Sequence, residues 1–324
     1  VMGGLATASG MTLTGRPDEA DVIIVNTCAF IQPAKEEALE VILTLAEEKK
    51  KSGRNLKLIV AGCLAQRYKD ELLKELPEAD AVIGTAGISR ITEICDNALA
   101  GKERALEVSA PALVYGLPRV GTTPPHYRYL KIAEGCSNRC SYCAIPLIRG
   151  NFTSRPTGSI VDEAKRLADE GTKELVLLAQ DSTQYRDRDV DLPKLLKKLA
   201  RVGGLRWIRL MYVYPGKVSD ELISVMADEE KLCKYLDMPV QHIDDRILAA
   251  MNRRGTSDDI KRTIDRLRRK VPGIALRTSL IVGFPGETDA EFDALLEFIQ
   301  EQQFDRVGVF EYSKEEGTPA ARLT

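Results

Sequence analysis

Short apolar runs alternate with longer amphipathic stretches along the whole chain, and this alternation limits the possible folds more than any other feature. Asp21–Asn26 and Leu56–Ala61 are β-branched and almost continuously apolar, as expected for parallel strands covered on both faces. Between them, Pro33–Lys51 carries apolar residues at helical spacing, with glutamates early and lysines late, an order that suits the helix dipole. This pattern predicts a parallel α/β sheet.

The first part of the chain is predicted to form one doubly wound sheet domain, residues 1–115. Its third strand is expected at Asp80–Gly84 and a helix at Ile88–Ala100. Residues 116–125 are rich in proline and glycine and are predicted to be a linker. A second domain, residues 126–324, then follows, since 324 residues at roughly 150 per domain fit two domains.

The second domain repeats the alternation in six strand–helix units, which predicts an incomplete (β/α)6 relative of the TIM barrel. Ser159 with Asp162 and Thr288 with Glu291 have the spacing of helix-capping boxes. The predicted strands are Tyr129–Ala133, Glu174–Ala179, Trp207–Tyr212, Tyr235–Met238, Ala275–Val282 and Asp305–Tyr312. The predicted helices include Ser159–Asp169, Leu192–Ala200, Asp220–Ala227, Ser257–Arg269 and Thr288–Gln300.

Composition excludes several function classes. The 46 lysines and arginines against 48 aspartates and glutamates leave a net charge of −2, which argues against binding dominated by bulk attraction to nucleic acid or anionic lipid. The only histidines, His126 and His242, argue against His-rich zinc enzymes and Ser-His-Asp hydrolases. No stretch reaches the ~18 apolar residues of a membrane span and no signal peptide opens the chain, so we expect a soluble, cytoplasmic protein.

Three of the seven cysteines, Cys136, Cys140 and Cys143, follow the first predicted barrel strand within eight residues. On a loop at the carboxyl end of a barrel strand, thiolates with this spacing can hold three corners of a cubane iron–sulfur cluster. No fourth ligand lies nearby in sequence, so one iron would stay open to a substrate or cofactor. The alternatives are three unligated thiols, or a zinc site completed by His126 or Cys233.

The other cysteines divide into two pairs. Cys28 and Cys63 each follow a predicted strand directly, at the position where ligands gather in open α/β sheets; the residues alone leave open whether they are metal ligands or buried apolar thiols. Cys95 falls in the apolar stripe of a predicted helix, and Cys233 precedes a strand with no partner at ligand spacing. Both are predicted to be core residues.

The segment from Lys131 to Gly150, which contains the clustered cysteines, reads KIAEGCSNRCSYCAIPLIRG. This segment resembles the radical S-adenosylmethionine (SAM) methylthiotransferase family. NTCAF around Cys28 and VAGCLAQR around Cys63 resemble the amino-terminal domain of that family. LDMPVQHIDD, Leu236–Asp245, is similar to the branch that modifies a ribosomal protein rather than tRNA. The resemblance covers essentially the whole chain.

The resemblance implies that the three clustered cysteines are catalytic and bind a [4Fe-4S] cluster whose open iron chelates SAM. An electron passed to SAM then yields a deoxyadenosyl radical, which removes hydrogen from an inert C–H bond. It also implies a second [4Fe-4S] cluster on Cys28, Cys63 and a cysteine upstream of Val1. Because the family carries a TRAM domain that would follow Thr324, we expect the chain to be a fragment.

Six residues are predicted to contact SAM, by analogy with the superfamily. All lie in the cysteine loop or on or beside barrel strands. The polar side chains could instead form hydrogen bonds with one another inside the barrel, and the glycine could serve only to form a tight turn. They are Tyr142, Gln180, Arg209, Gln241, Arg277 and Gly283.

The activity that the resemblance implies is methylthiolation of the β-carbon of an aspartate in small-subunit ribosomal protein twelve, with a low-potential electron donor such as flavodoxin. The alternatives are a tRNA adenosine methylthiotransferase and a non-catalytic, metal-scaffolded binding module. The basic run Arg253–Lys270 could contact ribosomal RNA, although its interleaved aspartates favour a solvated helix face.

Overall fold

A computed structural model describes residues 1–323 and divides them into two units of strands and helices. The first unit comprises residues 1–120 and 144–150, and the second begins at residue 121 and omits that short segment. The division falls within the segment predicted to be a linker, but no sequence pattern indicates that residues 144–150 join the first unit. Thr324, which ends the predicted barrel domain, lies outside the described residues.

The first unit is built on a parallel sheet with the strand order β1-β2-β3-β4. Leu58 and Val60 of β2 pack into one core with α2 and α3, whereas Ile59 and Ala61 pack with α4 in a second core. Successive strand residues therefore bury both faces of the sheet, which confirms a doubly wound architecture. Its elements are α1 (Met2–Ala8), β1 (Val22–Thr27), α2 (Gln32–Ser52), β2 (Lys57–Gly62), α3 (Cys63–Glu75), β3 (Ala81–Ile83), α4 (Ile91–Leu99), β4 (Ala105–Glu107) and α5 (Ile145–Arg149).

The sheet of the second unit is parallel, with the order β14-β13-β12-β11-β8-β5 within the described residues, and it is the predicted partial barrel. Leucines and isoleucines on alternate strand positions pack against the outer helices, and the residues between them face the barrel interior. The elements are β5 (Tyr127–Lys131), β6 (Ala133–Glu134), β7 (Thr153–Ser154), α6 (Thr157–Asp169), β8 (Glu174–Leu178), β9 (Arg186–Asp187), β10 (Val190–Asp191), α7 (Leu192–Ala200), β11 (Trp207–Leu210), α8 (Asp220–Asp228), β12 (Leu232–Asp237), α9 (Asp245–Ala250), α10 (Ser257–Lys270), β13 (Ala275–Val282), α11 (Asp289–Gln302) and β14 (Arg306–Glu311).

Most predicted elements are present, with ends shifted by at most three residues, but one predicted capping box is wrong. The capping box of Thr288 and Glu291 is confirmed at the start of α11. The box predicted for Ser159 and Asp162 is absent, because α6 already begins at Thr157. The Ser159 hydroxyl instead accepts a hydrogen bond from Arg155 Nη2, at 2.8 Å.

The elements that the sequence did not reveal are short or interrupted. In α3, Lys69 has a positive φ of 45°, which breaks the helix. The antiparallel pair β6 and β7 has two residues in each strand. Runs of this length carry no readable periodicity. Across residues 1–323, no helix combines the length and the apolar character that a membrane crossing requires.

Candidate active site

The loop with Cys136, Cys140 and Cys143 leaves β6 at the carboxyl end of the first barrel strand. Backbone hydrogen bonds fix its course: the Cys143 amide donates to the Cys140 carbonyl at 3.0 Å, and the Ser141 amide to the Met251 carbonyl at 2.9 Å. All three thiols are half-buried. The loop thus presents three thiols on one short segment held by its own backbone.

Asp181, three residues after the end of β8, anchors this loop. Its side chain is 2% exposed, and Oδ2 accepts hydrogen bonds from Asn138 Nδ2 at 2.7 Å, Gln184 Nε2 at 3.0 Å and Lys217 Nζ at 3.2 Å. Gln184 Nε2 also lies 3.7 Å from the sulfur of Cys136. The second barrel strand therefore positions the first cysteine through one buried carboxylate.

Arg253 holds the other side of the loop. Its Nη2 donates to the Pro239 carbonyl at 2.7 Å, while Nη1 lies 3.3 Å from the Tyr142 hydroxyl and 3.8 Å from the Cys140 sulfur. The guanidinium also stacks over the Tyr214 ring, 4.6 Å from its centroid. Burial would lower the pKa of Arg253, but the facing tyrosines and Cys140 raise it above its ordinary value, so the group is a permanent cation beside the thiols.

Replacing Arg253 with methionine is expected to lower the free energy of unfolding by about 2 kcal/mol, because three polar partners lose a charged donor. The reduction potential of a cluster on Cys140 should also fall, since a hydrogen bond to a ligand sulfur is lost. Denaturant unfolding and EPR-monitored redox titration measure the two effects. Arg254→Met is the matched control, because the Arg254 side chain is exposed; equal effects of both substitutions would contradict the role of Arg253.

A zinc ion would need a fourth ligand beside these thiols, with all four drawn to about 2.0–2.3 Å from one point. His126 and Cys233 lie at the amino ends of β8 and β12, opposite the cysteine loop. In a cubane each thiolate binds a different iron, so the sulfurs need not converge. Nitrogen donors directed at Cys136 and Cys140 suit such thiolates.

Tyr142 and the turn after β13 meet in one small core. Tyr142 packs against a cluster that contains Phe284 and Met251. The turn that carries Phe284 uses positive φ at Gly283 and Gly286, 71° and 83°, which glycine adopts without strain. The fold thus places the predicted SAM contacts Tyr142 and Gly283 around the same cluster.

Gln180, at the end of β8, carries an unsatisfied acceptor. Its Nε2 donates to Glu134 Oε1 at 3.0 Å, but Oε1 is buried and has no hydrogen-bond partner within the described chain. An unpaired buried acceptor costs about 1–3 kcal/mol, which a bound ammonium group would offset. SAM carries such an ammonium on its methionine moiety, so this position fits the cofactor.

The remaining predicted SAM contacts differ in their placement. Gln241 has a strained backbone with φ 72° and bridges to β13 through the Ser279 carbonyl, at the catalytic end of the barrel. Arg209 Nε pairs with Glu174 at 2.6 Å, at the amino end of β8. The placement of Arg209 gives no support to a cofactor role. Arg277 Nη1 pairs with Asp237 at 2.6 Å.

In the first unit, Cys28 and Cys63 follow paired positions of neighbouring strands, since Thr27 and Gly62 are in register. A side chain at Gly62 would approach the Thr27 carbonyl to 2.8 Å, so glycine is required for this close approach. Cys28 is exposed and Cys63 half-buried. The Nη2 of Arg149 donates to the sulfur of Cys63 at 3.1 Å.

The two cysteines predicted to be core residues behave differently. Cys95 is 2% exposed, and burial raises the pKa of its thiol to about 11, which confirms a neutral core residue. Cys233 is only half-buried and lies near Arg209 and Glu174 inside the barrel. For Cys233 the prediction of a core position was therefore wrong, because strand alternation turns this residue inward.

Sequence reasoning missed Asn138, Lys217 and Arg253 as parts of the site. Arg253 was counted in a basic run, but the turn after α9 carries it to the cysteine loop. Later cations of the run form ion pairs away from the cysteine loop; for example, Arg266 and Lys270 both contact Asp220 at 2.9 Å. No local pattern marks such long-range contacts.

Comparison with known proteins places the chain. A profile of the radical SAM superfamily matches residues 130–299, and one described as uncharacterized protein family UPF0004 matches residues 1–84. Ribosomal protein uS12 methylthiotransferase RimO of Heliobacterium modesticaldum is 52% identical over 100% of this chain and 71% of the relative. The enzyme of the same name from Geobacter sulfurreducens is 50% identical over 100% of this chain and 73% of the relative.

The chain belongs to the RimO family of radical SAM methylthiotransferases. Among solved structures, the RimO-family chain is similar to TsrM of Kitasatospora setae, a radical SAM methyltransferase with cobalamin and a [4Fe-4S] cluster bound. The TM-score is 0.69 at 15% identity, over 94% of this chain and 64% of that one. The cobalamin-dependent SAM radical enzyme OxsB is also similar. Its TM-score is 0.60 at 12% identity, over 94% of this chain and 46% of that one. At such identities the likeness shows the fold alone.

Proposed function

We propose that the chain transfers a methylthio group to the β-carbon of an aspartate in ribosomal protein uS12. One observation carries the proposal: relatives about 50% identical over the whole chain are named uS12 methylthiotransferases. The tRNA-modifying alternative and the metal-scaffolded binding module have no comparable support.

In this proposal the three loop cysteines, Cys136, Cys140 and Cys143, hold the catalytic [4Fe-4S] cluster. Together with SAM, the cluster supplies a radical that can take hydrogen from an unactivated carbon. Asp181 and Arg253 orient the loop, and the half-buried position of the thiols limits the access of water.

The residues proposed to contact SAM are those that the fold gathers around this loop. Gln180 Oε1 would accept a hydrogen bond from the ammonium of SAM. Tyr142 and Gly283 would lie beside its adenine, and Gln241 would contact its ribose. The unpaired oxygen of Gln180 and the strained backbone of Gln241 support these roles.

A second [4Fe-4S] cluster is proposed at Cys28 and Cys63. Their adjacent positions at strand ends and the exposure of Cys28 support it. Arg149 would then donate a hydrogen bond to one ligand sulfur. A low-potential donor such as flavodoxin would supply electrons in the cytoplasm, and contact with ribosomal RNA would be confined to the exposed cations of α10.

Mass spectrometry of the two candidate targets tests this function. We expect reconstituted enzyme with SAM and reductant to add a methylthio group to the target peptide of uS12 and to leave tRNA adenosines unchanged. Enzyme without reductant is the control. Modification of adenosine, with none of uS12, would replace the proposal by the tRNA activity, and zinc without iron in the reconstituted protein would favour the binding module.

A further inference from the structure

Two arginines face the barrel interior, and one of them keeps unused donors. Arg209 and Arg277 alternate with core leucines and isoleucines, which places their side chains inside. Arg209 is occupied by Glu174 and by the Tyr235 ring, 4.9 Å from its centroid. Arg277 donates through Nη1 to Asp237, whereas its Nε and Nη2 have no hydrogen-bond acceptor within residues 1–323.

The unused edge of Arg277 is open. The side chain is 30% exposed, and its Nη2 faces Gly308 on the neighbouring strand β14. A Cβ at Gly308 would lie 3.7 Å from this nitrogen and 3.4 Å from Cε2 of Phe310, so the absence of a side chain leaves room between the guanidinium and this ring. The Nε–Nη2 edge is the one that binds a carboxylate with two parallel hydrogen bonds.

Asp237 fixes this guanidinium at some energetic cost. Its side chain is fully buried, and its Oδ2, near the Tyr212 amide, makes no hydrogen bond of acceptable geometry within the described chain. A buried ion pair with an unsatisfied oxygen contributes little to stability. The ion pair holds Nη1 of Arg277 in place, and the Nε–Nη2 edge of Arg277 stays directed at the barrel interior.

The pair joins the last residue of β12 to the first half of β13. Asp237 is the last residue of β12, two residues before Pro239, whose carbonyl accepts a hydrogen bond from Arg253. The same guanidinium of Arg253 contacts Cys140. A ligand on Arg277 would therefore lie on the interior side of the cysteine loop.

We infer that Arg277 binds the carboxylate of the aspartate that is modified, with Asp237 as its positioning residue. The inference rests on the proposed function. The β-carbon is bonded directly to that carboxylate, so a bidentate grip fixes the carbon that must react. SAM also carries a carboxylate, and the affinity for SAM measured in the test below distinguishes the two ligands.

The test uses the reconstituted enzyme, uS12 and a double variant, Asp237→Asn with Arg277→Gln, since Arg277→Gln alone would leave a buried carboxylate unpaired. We expect kcat/KM for uS12 to fall about 100-fold or more, while the dissociation constant of SAM changes less than about twofold. The variant should also lose the preference of the wild-type enzyme for the Asp target over an Asp→Asn target. Arg201→Gln, at an exposed arginine after α7, is the matched control.

Three outcomes would overturn the inference. A loss of SAM affinity as large as the loss of kcat/KM would assign Arg277 to the carboxylate of SAM. Unchanged kinetics and an unchanged preference for Asp over Asn would reduce the pair to a structural role. If wild-type enzyme fails to modify uS12, the proposed function itself is wrong, and this result is separate because it appears before any variant is made.

Discussion

Replacing Cys140 with alanine is expected to abolish reductive cleavage of SAM, with deoxyadenosine formation falling by about 1000-fold or more. Cys140 is the middle thiol of the loop and the one beside the Arg253 guanidinium. Two remaining thiols cannot hold a cubane that needs three protein corners to stay in place. Deoxyadenosine measured by chromatography after anaerobic reconstitution, with iron counted per chain, checks both consequences.

Cys95→Ala is the matched control for this experiment. The Cys95 thiol is buried among Ile91 and Ile94 of α4, and its pKa of about 11 keeps it protonated near neutral pH. Its removal should lower the free energy of unfolding by about 1 kcal/mol and leave iron content and SAM cleavage largely intact. Equal loss of activity in both variants would contradict the division of the cysteines into ligands and core residues.

The second large effect is expected from Asp181→Ala, which should lower the free energy of unfolding by about 3–5 kcal/mol. The buried carboxylate neutralises Lys217 and accepts hydrogen bonds from Asn138 and Gln184; its loss removes the shared acceptor and counter-charge of three donors at once. Because Asn138 belongs to the cysteine loop, the variant should also lose iron faster. Denaturant unfolding of the apoprotein and the rate of iron release to a chelator measure the two effects separately.

Asp191→Ala provides the comparison for Asp181. Asp191 caps α7 by accepting a hydrogen bond from the Lys194 amide at 3.2 Å, and it has no contact with the cysteine loop among the hydrogen bonds of the described chain. Its loss should lower the free energy of unfolding by only about 1 kcal/mol without changing iron release. Faster iron release from both variants would mean that general destabilisation, rather than the contact with Asn138, labilises the cluster.

Much of the fold was accessible from the sequence because parallel strands buried on both faces are continuously apolar. Asp21–Asn26 and Leu56–Ala61 were each placed within one residue of β1 and β2. The first barrel strand was shifted by two residues, to Tyr127–Lys131, because its inward-facing tyrosines interrupt the apolar run. Segments such as β6, β7 and α5 are too short to show a period.

The sequence by itself determined the class of chemistry. The spacing of Cys136, Cys140 and Cys143 on one loop is a local property, which is present before the chain folds. Only the tertiary structure decided which polar groups serve those thiols. Asp181, Lys217 and Arg253 reach the loop from residues 38 to 117 positions away in the chain, counted from Cys143 and Cys136. Such contacts depend on how strands and helices pack. The identity of a residue does not reveal which distant residue its side chain will contact.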